Sequence, residues 1–224
     1  MKLLLVNDDG IDAPGILTLE KFLGEKALVF APSGPMSGTG HSVTVHKPFS
    51  FHKRSRTHYS VDGTPADCVR AYSFLIGEPL DWVFSGINYG GNLGIDLYLS
   101  GTAAAAREAT LLGWKAIAFS QRISGQNRVD WEVTGKMAGR VWEVLRSRPP
   151  GKGAFWNVNF PHVSDAEAPE LVFCKPSKMP LDINFLRDGN SLKYSGVYAD
   201  RKREEGSDID VCFSGNISIS EVFL

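Results

Sequence analysis

The sequence predicts an α/β protein: a Rossmann-like, doubly wound and mostly parallel sheet that ends in a C-terminal β-hairpin arm. Two observations lead there. Up to Phe160, short continuous apolar runs alternate with amphipathic stretches, as expected of strands covered on both faces by helices. Past Pro149-Pro150-Gly151 the texture changes to short apolar runs separated by glycine-containing turns, which read as hairpins. An α/β region over residues 1–160 and a β-rich arm over 161–224, built as one structural unit, are therefore expected.

Leu3-Leu4-Leu5-Val6 is the first buried strand. A helix follows, with Pro14 in its first turn and Ile16, Leu19, Phe22 and Leu23 on one face. Ala27 to Ala31 gives a second strand, stopped by Pro32, and Ser33 to Gly40 (SGPMSGTG) is too rich in glycine, serine and proline for regular structure. Alternation predicts short strands at Ser42 to Val45 and Tyr59 to Val61. Thr64-Pro65-Ala66-Asp67 then opens a helix to about Ile76. Trp82 to Ser85 is a strand leading into the loop GINYGGNLGIDLYLSGT, and a helix begins near Gly101 with a run of four alanines. Lys115 to Phe119 and Phe155 to Phe160 are further strands, separated by a long amphipathic helix from Trp131 to Arg146. The arm is read as strands at Leu192 to Tyr198, Ile209 to Phe213 and Ile217 to Val222, turning at Gly189-Asn190 and Gly215-Asn216. Isolated hairpins bury too little to stand alone, so a homo-oligomer packed through this arm is expected.

Composition narrows the class. Of 224 residues, 43% are hydrophobic and 22% charged, and the net charge is -1. No overall field favours a nucleic-acid polymer or a membrane surface. The run Asp200-Arg201-Lys202-Arg203-Glu204-Glu205 cancels internally and reads as a solvated turn. Cys68, Cys174 and Cys212 are odd in number and widely spaced, so buried free thiols are expected rather than a disulfide framework. Lys2 precedes only four apolar residues before acid appears, which is no secretory signal. No apolar run approaches the roughly 20 residues that span a bilayer. A cytoplasmic protein is expected.

In an open parallel sheet, ligands bind beyond the carboxyl ends of the strands. Three polar loops leave that edge: Asn7-Asp8-Asp9-Gly10, Ser33 to His41, and Gly86 to Thr102. Adjacent carboxylates repel, and no basic residue lies near Asp8 and Asp9 in sequence. They read either as a helix cap and turn or as ligands for a hard divalent cation, Mg²⁺ or Mn²⁺. His41 and His46, five apart, make a poor zinc pattern. Ser100-Gly101-Thr102 stands at a helix start, where free N–H groups and the dipole favour an anion and the two hydroxyls add donors. Asn88 and Asn92 among glycines, and Ser37-Gly38-Thr39-Gly40, allow close backbone approach. Cation and anion sites in one crevice imply a phosphate ester.

With those residues assembled, the chain resembles the stationary-phase survival protein SurE family of metal-dependent nucleotidases. The resemblance rests on NDDG at 7–10, SGTGHSVTVHKP at 37–48, DGTPADCV at 62–69, SGINYGGNLG at 85–94 and SGTAAAAREA at 100–109, with WNVNFP at 156–161 also fitting. It implies hydrolysis of nucleoside 5′- and 3′-monophosphates, and of short polyphosphate by some members. By position it implies metal ligation by Asp8, Asp9, Ser37 and Asn88, with one divalent ion per subunit. Asn92, Ser100, Gly101 and Thr102, with the Thr39-Gly40 turn, correspond to phosphate-facing groups, and Asp8, Asp9 and Asn92 to the catalytic set. Exchange of C-terminal hairpins in dimers or tetramers is implied as well. Ser33 stands where many members carry Asp. His41 is a candidate proton donor to the leaving oxygen, or a hydrogen-bonded structural histidine.

The rival from another class is a phosphoacceptor receiver module, suggested by LLVNDDG. It requires a lysine after a later strand, but Lys115 to Phe119 is followed by Ser120-Gln121-Arg122. A dinucleotide-binding oxidoreductase lacks its G-x-G-x-x-G after the first strand.

Overall fold

Leu3–Val6 forms β1, and its four side chains are all buried. Leu3 and Leu5 pack into one apolar cluster and Leu4 and Val6 into another, the two-sided alternation of a central strand. The computed structural model describes residues 1–23, 27–125, 128–163, 169–181 and 183–224. After β1 come α1 (Pro14–Leu23), β2 (Ala27–Pro32), β3 (Phe51–Lys53), β4 (His58–Val61), α2 (Pro65–Leu75) and β5 (Trp82–Tyr89). A 3₁₀ turn (Gly94–Tyr98), α3 (Gly101–Leu111), β6 (Lys115–Gln121), α4 (Trp131–Leu145) and β7 (Ala154–Phe160) follow. The last part holds β8 (Leu171–Cys174), β9 (Phe185–Asp188), β10 (Ser191–Tyr194), a short 3₁₀ turn (Tyr198–Asp200), α5 (Asp208–Phe213) and β11 (Ile217–Phe223).

The main sheet has the order β3-β4-β2-β1-β5-β6-β7-β11-β8. It is parallel from β4 to β7, with antiparallel pairings at β3/β4 and β7/β11. Residues of α1 and α4 join the cluster on one face, with Phe84, Phe119 and Trp142 at its centre. The other face is covered by α2 and α3 around Phe30, Tyr72 and Val83. Ala103, Ala104, Ala105 and Ala106 are completely buried, so α3 lies close to the sheet because its side chains are small. Helix α1 approaches still closer: a Cβ on Gly15 would stand 1.9 Å from the carbonyl oxygen of Ile87. Strand order reverses at β1, with β2 on one side and β5 on the other, which opens a crevice at their carboxyl ends.

Several elements differ from expectation. Ser42 to Val45 forms no strand. The Thr44 N–H and hydroxyl both donate to Asp67, at 2.9 and 2.7 Å, and that carboxylate also closes the capping box of α2 with Thr64. The edge strand is instead β3, paired with β4. Ile209 to Phe213 is helical, not a strand. Ser207 caps α5 by accepting from the Asp210 N–H, and Gly215, at φ +92°, stands just past that helix's end. The final strand β11 enters the main sheet between β7 and β8. Among the described residues only β9 and β10 form a separate hairpin, turning at Gly189-Asn190 as expected. The charged run is not wholly solvated, because Arg201 is buried and bidentate to Asp96, at 2.6 and 2.9 Å. Cys68 and Cys212 are buried free thiols, and Cys174 is half-buried. Among the described residues no helix is long and apolar enough to cross a membrane.

Candidate active site

The three polar loops meet at the carboxyl end of β1, and backbone hydrogen bonds do the joining. The Met36 N–H donates to the Asp8 carbonyl at 2.7 Å, which brings Ser37 to the acidic pair from the second loop. The Tyr89 N–H donates to Asp9 Oδ2 at 3.0 Å, which brings Asn88 there from β5. The Gly40 N–H donates to the Leu99 carbonyl at 3.2 Å, tying the second loop to the third. Residues as far as 80 positions apart are thus drawn to one rim.

Asp8 sits directly under the start of α3. Thr102 Oγ1 donates to Asp8 Oδ1 at 2.5 Å. A Cβ on Gly101 would fall 2.9 Å from both Cβ and Oδ2 of Asp8, so glycine alone leaves this space open. Ser100 caps the helix by accepting from the Ala103 N–H at 3.0 Å. The N–H groups of Gly101 and Thr102 belong to the first turn and have no intrahelical acceptor. Sequence reasoning counted the Thr102 hydroxyl as a donor to an anion, but its proton is committed to Asp8, and its main-chain N–H hydrogen-bonds to the same carboxylate, which leaves the Gly101 N–H for that role.

Burial governs the electrostatics. Asp8 is 4% exposed, and its pKa is pushed up to about 6, first by loss of solvent and further by the Asp9 charge, against the hydrogen bond from Thr102. Burial also raises Asp9, opposed by the Tyr89 N–H. Among the described residues no salt bridge reaches either carboxylate. Among them there is also no group of three His, Cys, Asp or Glu that could hold a metal. The donors at the rim are two carboxylates with amide and hydroxyl oxygens, a set suited to a hard cation and not to zinc.

The remaining predicted residues have the following partners. Asn88 Nδ2 donates to the Gly90 carbonyl at 2.7 Å. Ser37 is exposed, and Thr39 Oγ1 donates to the Met36 carbonyl at 2.9 Å within the same tight loop. Asn92 is buried, and its Nδ2 donates to Ser120 Oγ at 2.8 Å. His41 Nε2 lies 2.8 Å from Glu108 Oε2 on α3, and Arg70 Nε donates to the other oxygen of Glu108 at 2.6 Å.

Sequence reasoning gave no role to the residues that hold the third loop. The Asn92 N–H donates to Asn159 Oδ1 at 2.8 Å, and its carbonyl accepts from Asn157 and Asn159 at 3.0 and 3.1 Å. The available signal was a pair of asparagines at alternate positions inside the apolar run Phe155 to Phe160. Asp208 accepts from the N–H groups of Gly94 and Ser177, both at 2.8 Å. Arg201 and Tyr198 reach Asp96 in the same loop. The contacts of Gly94 with Asp208 and of Asp96 with Tyr198 and Arg201 join segments more than 100 positions apart and leave no local pattern.

Comparison with known proteins agrees with this architecture. The family model described as "Survival protein SurE" matches residues 3–181. A protein of Nostoc sp. named "Putative 5'-nucleotidase alr3139" is 46% identical over 99% of both chains. "5'-nucleotidase SurE" of Rhodospirillum rubrum is 38% identical over 98% of this chain and 88% of its own. The crystal structure of the SurE protein from Aquifex aeolicus superposes with a TM-score of 0.84 at 30% identity, covering 100% of this chain and 93% of that one. The chain belongs to the SurE family.

Proposed function

We propose that this chain is a divalent-metal-dependent phosphomonoesterase that converts nucleoside 5′- and 3′-monophosphates, and short polyphosphate, to nucleoside or shortened chain and phosphate. The observation that carries this reading is the contact of Thr102 and Gly101 with Asp8. It sets an anion-binding helix start against two carboxylates that no salt bridge offsets among the described residues, and a phosphate ester with a cation satisfies both halves. The names of the relatives support the nucleotide as substrate.

Asp8, Asp9, Ser37 and Asn88 are the residues that would hold one Mg²⁺ or Mn²⁺ per subunit. When bound, such an ion neutralises the acidic pair, polarises a phosphoryl oxygen and acidifies water. The Gly101 N–H, the Ser100 hydroxyl, the Thr39-Gly40 turn and Asn92 receive the phosphoryl oxygens and stabilise charge as the P–O bond breaks, with Thr102 holding Asp8 beside them. Asp8, besides ligating the cation, would take the proton of the attacking water.

The β9–β10 hairpin pairs only with itself and exposes Phe185, Leu186, Leu192 and Tyr194. That supports a homodimer or homotetramer joined through this part of the chain.

The test measures phosphate release from a panel of nucleoside monophosphates, with Mn²⁺ or with chelator, for the parent and Asp8→Asn. Release that needs metal and falls at least about 100-fold in the variant is expected, since a lost general base alone costs that much. Equal release under all conditions would overturn the reading.

A further inference from the structure

We propose that the cavity beside Asp9, with Tyr89 as its platform and Trp131 at its edge, is the subsite for the base of the nucleotide. The inference rests on the phosphomonoesterase reading and extends it to what surrounds the leaving group.

A cavity of about 440 Å³ opens on the α1 and α4 side of the acidic pair, and Asp9 lines it directly. That volume falls in the range of small-molecule sites, about 300–1,000 Å³. Its walls are the start of α1, the Ser33-Gly34-Pro35 turn and two aromatic side chains, Tyr89 and Trp131. A second cavity, about 490 Å³, lies against the β9–β10 hairpin, but none of its lining residues belongs to the acidic pair or its loops' ligand positions. Its Arg201 and Tyr198 are already bonded to Asp96.

Tyr89 is the residue whose main-chain N–H donates to Asp9 and whose predecessor is Asn88. The residue is nonetheless 52% exposed, so the apolar core does not account for its position. Trp131 differs, since it is half-buried and packs on the core. The two ring centroids are 6.3 Å apart with planes at 39°. A base sandwiched between them needs two stacking contacts of about 3.5 Å each in parallel planes, so the tilted pair cannot sandwich it. The base instead lies on the open face of Tyr89 with its edge toward Trp131.

Two polar side chains of the pocket are engaged elsewhere. Asp12 accepts from Arg54 at 2.6 Å, and Ser33 donates to Asp62 at 2.6 Å. Stacking without edge readout tolerates every base. The subsite therefore selects for an aromatic leaving group over a bare sugar, and discriminates weakly among the bases.

Equilibrium dialysis of the full chain against adenosine, guanosine, cytidine and uridine tests the pocket without catalysis. The parent should retain all four with dissociation constants within about tenfold of one another, Tyr89→Ala should weaken each about tenfold, and Tyr89→Phe should keep them. A folded parent that retains no nucleoside, or retention unchanged in Tyr89→Ala, overturns the proposal. Phosphate release from adenosine 5′-monophosphate and from ribose 5-phosphate separates the two readings. A parent inactive on both removes the phosphomonoesterase assignment, while dialysis still decides the pocket. If the parent is active, the ratio of kcat/KM for the nucleotide over the sugar phosphate should fall about tenfold in Tyr89→Ala. An unchanged ratio counts against the base subsite alone.

Discussion

Replacing Asp8 by asparagine should stabilise the metal-free protein at neutral pH. Burial holds the Asp8 pKa at about 6 instead of the ordinary 3.8, with the Asp9 charge adding to it and the Thr102 hydrogen bond opposing. Because the folded value is the higher one, the fold prefers the protonated acid. That contribution is complete below about pH 4 and is lost as pH rises through 6. At about 1.4 kcal/mol per pH unit, the difference amounts to roughly 3 kcal/mol above pH 7. Asparagine keeps the shape, carries no charge, and offers Thr102 an amide oxygen in place of the carboxylate. Metal-free Asp8→Asn should therefore gain about 2–3 kcal/mol at pH 7.5, a rise in Tm of roughly 4–12 °C for a chain of this size. Thermal and urea denaturation in chelator, from pH 4 to pH 8, reads the gain. Mn²⁺ should add about 2.7 kcal/mol to the parent at 100 times its Kd and little to the variant, closing the gap, and about 4.1 kcal/mol at 1,000 times its Kd, reversing the order. A stability difference that does not change between pH 4 and 7, or a variant weaker than the parent at pH 7.5, would refute the burial argument.

Two further substitutions probe the frame of the site. Gly101→Ala places a methyl 2.9 Å from Asp8 Oδ2, so kcat/KM should fall at least about 100-fold, as for a displaced reacting group, with a circular-dichroism spectrum like the parent's. Asn159→Ala leaves the Asn92 N–H without its acceptor, and urea denaturation should show a loss of about 1–3 kcal/mol. Steady-state kinetics of the same variant should show kcat reduced about tenfold or more, because a shifted Asn92 misplaces the phosphate.

The α/β core was legible because strands buried on both faces carry continuous apolar runs: all of β1, Ala27 to Ala31 of β2, Trp82 to Phe84 of β5 and Ala116 to Phe119 of β6, with β7 interrupted by Asn157 and Asn159. The site was legible in outline for a related reason. Polar loops that follow parallel strands share one edge, whatever their separation in sequence. Local competition hid the rest. Ser42 to Val45 alternates like a strand, yet its backbone is taken by Asp67. In Ser207 to Phe213 the alternation of Ile209, Val211 and Phe213 resembles a strand, while the Ser-x-x-Asp cap specifies a helix too short to show its period. The place of β11 between β7 and β8 is a long-range pairing that neither alternation nor turn chemistry encodes.

The C-terminal segments do more than extend the sheet. The loop from Gly86 to Thr102 carries Asn88 and Asn92 and ends at the helix start over Asp8, yet few of its polar anchors are its own. Asn157 and Asn159 hold it from β7, Asp208 takes the Gly94 N–H from α5, and Arg201 and Tyr198 take Asp96. A buried bidentate pair such as Arg201 with Asp96 contributes little net stability, but leaving one partner alone costs about 3–5 kcal/mol. Its effect is therefore to fix one arrangement of the loop and to exclude others. The desolvated acid pair needs such bracing. Two carboxylates held without a basic partner push their surroundings apart, and the third loop stays closed over them because residues from the far end of the chain hold it there.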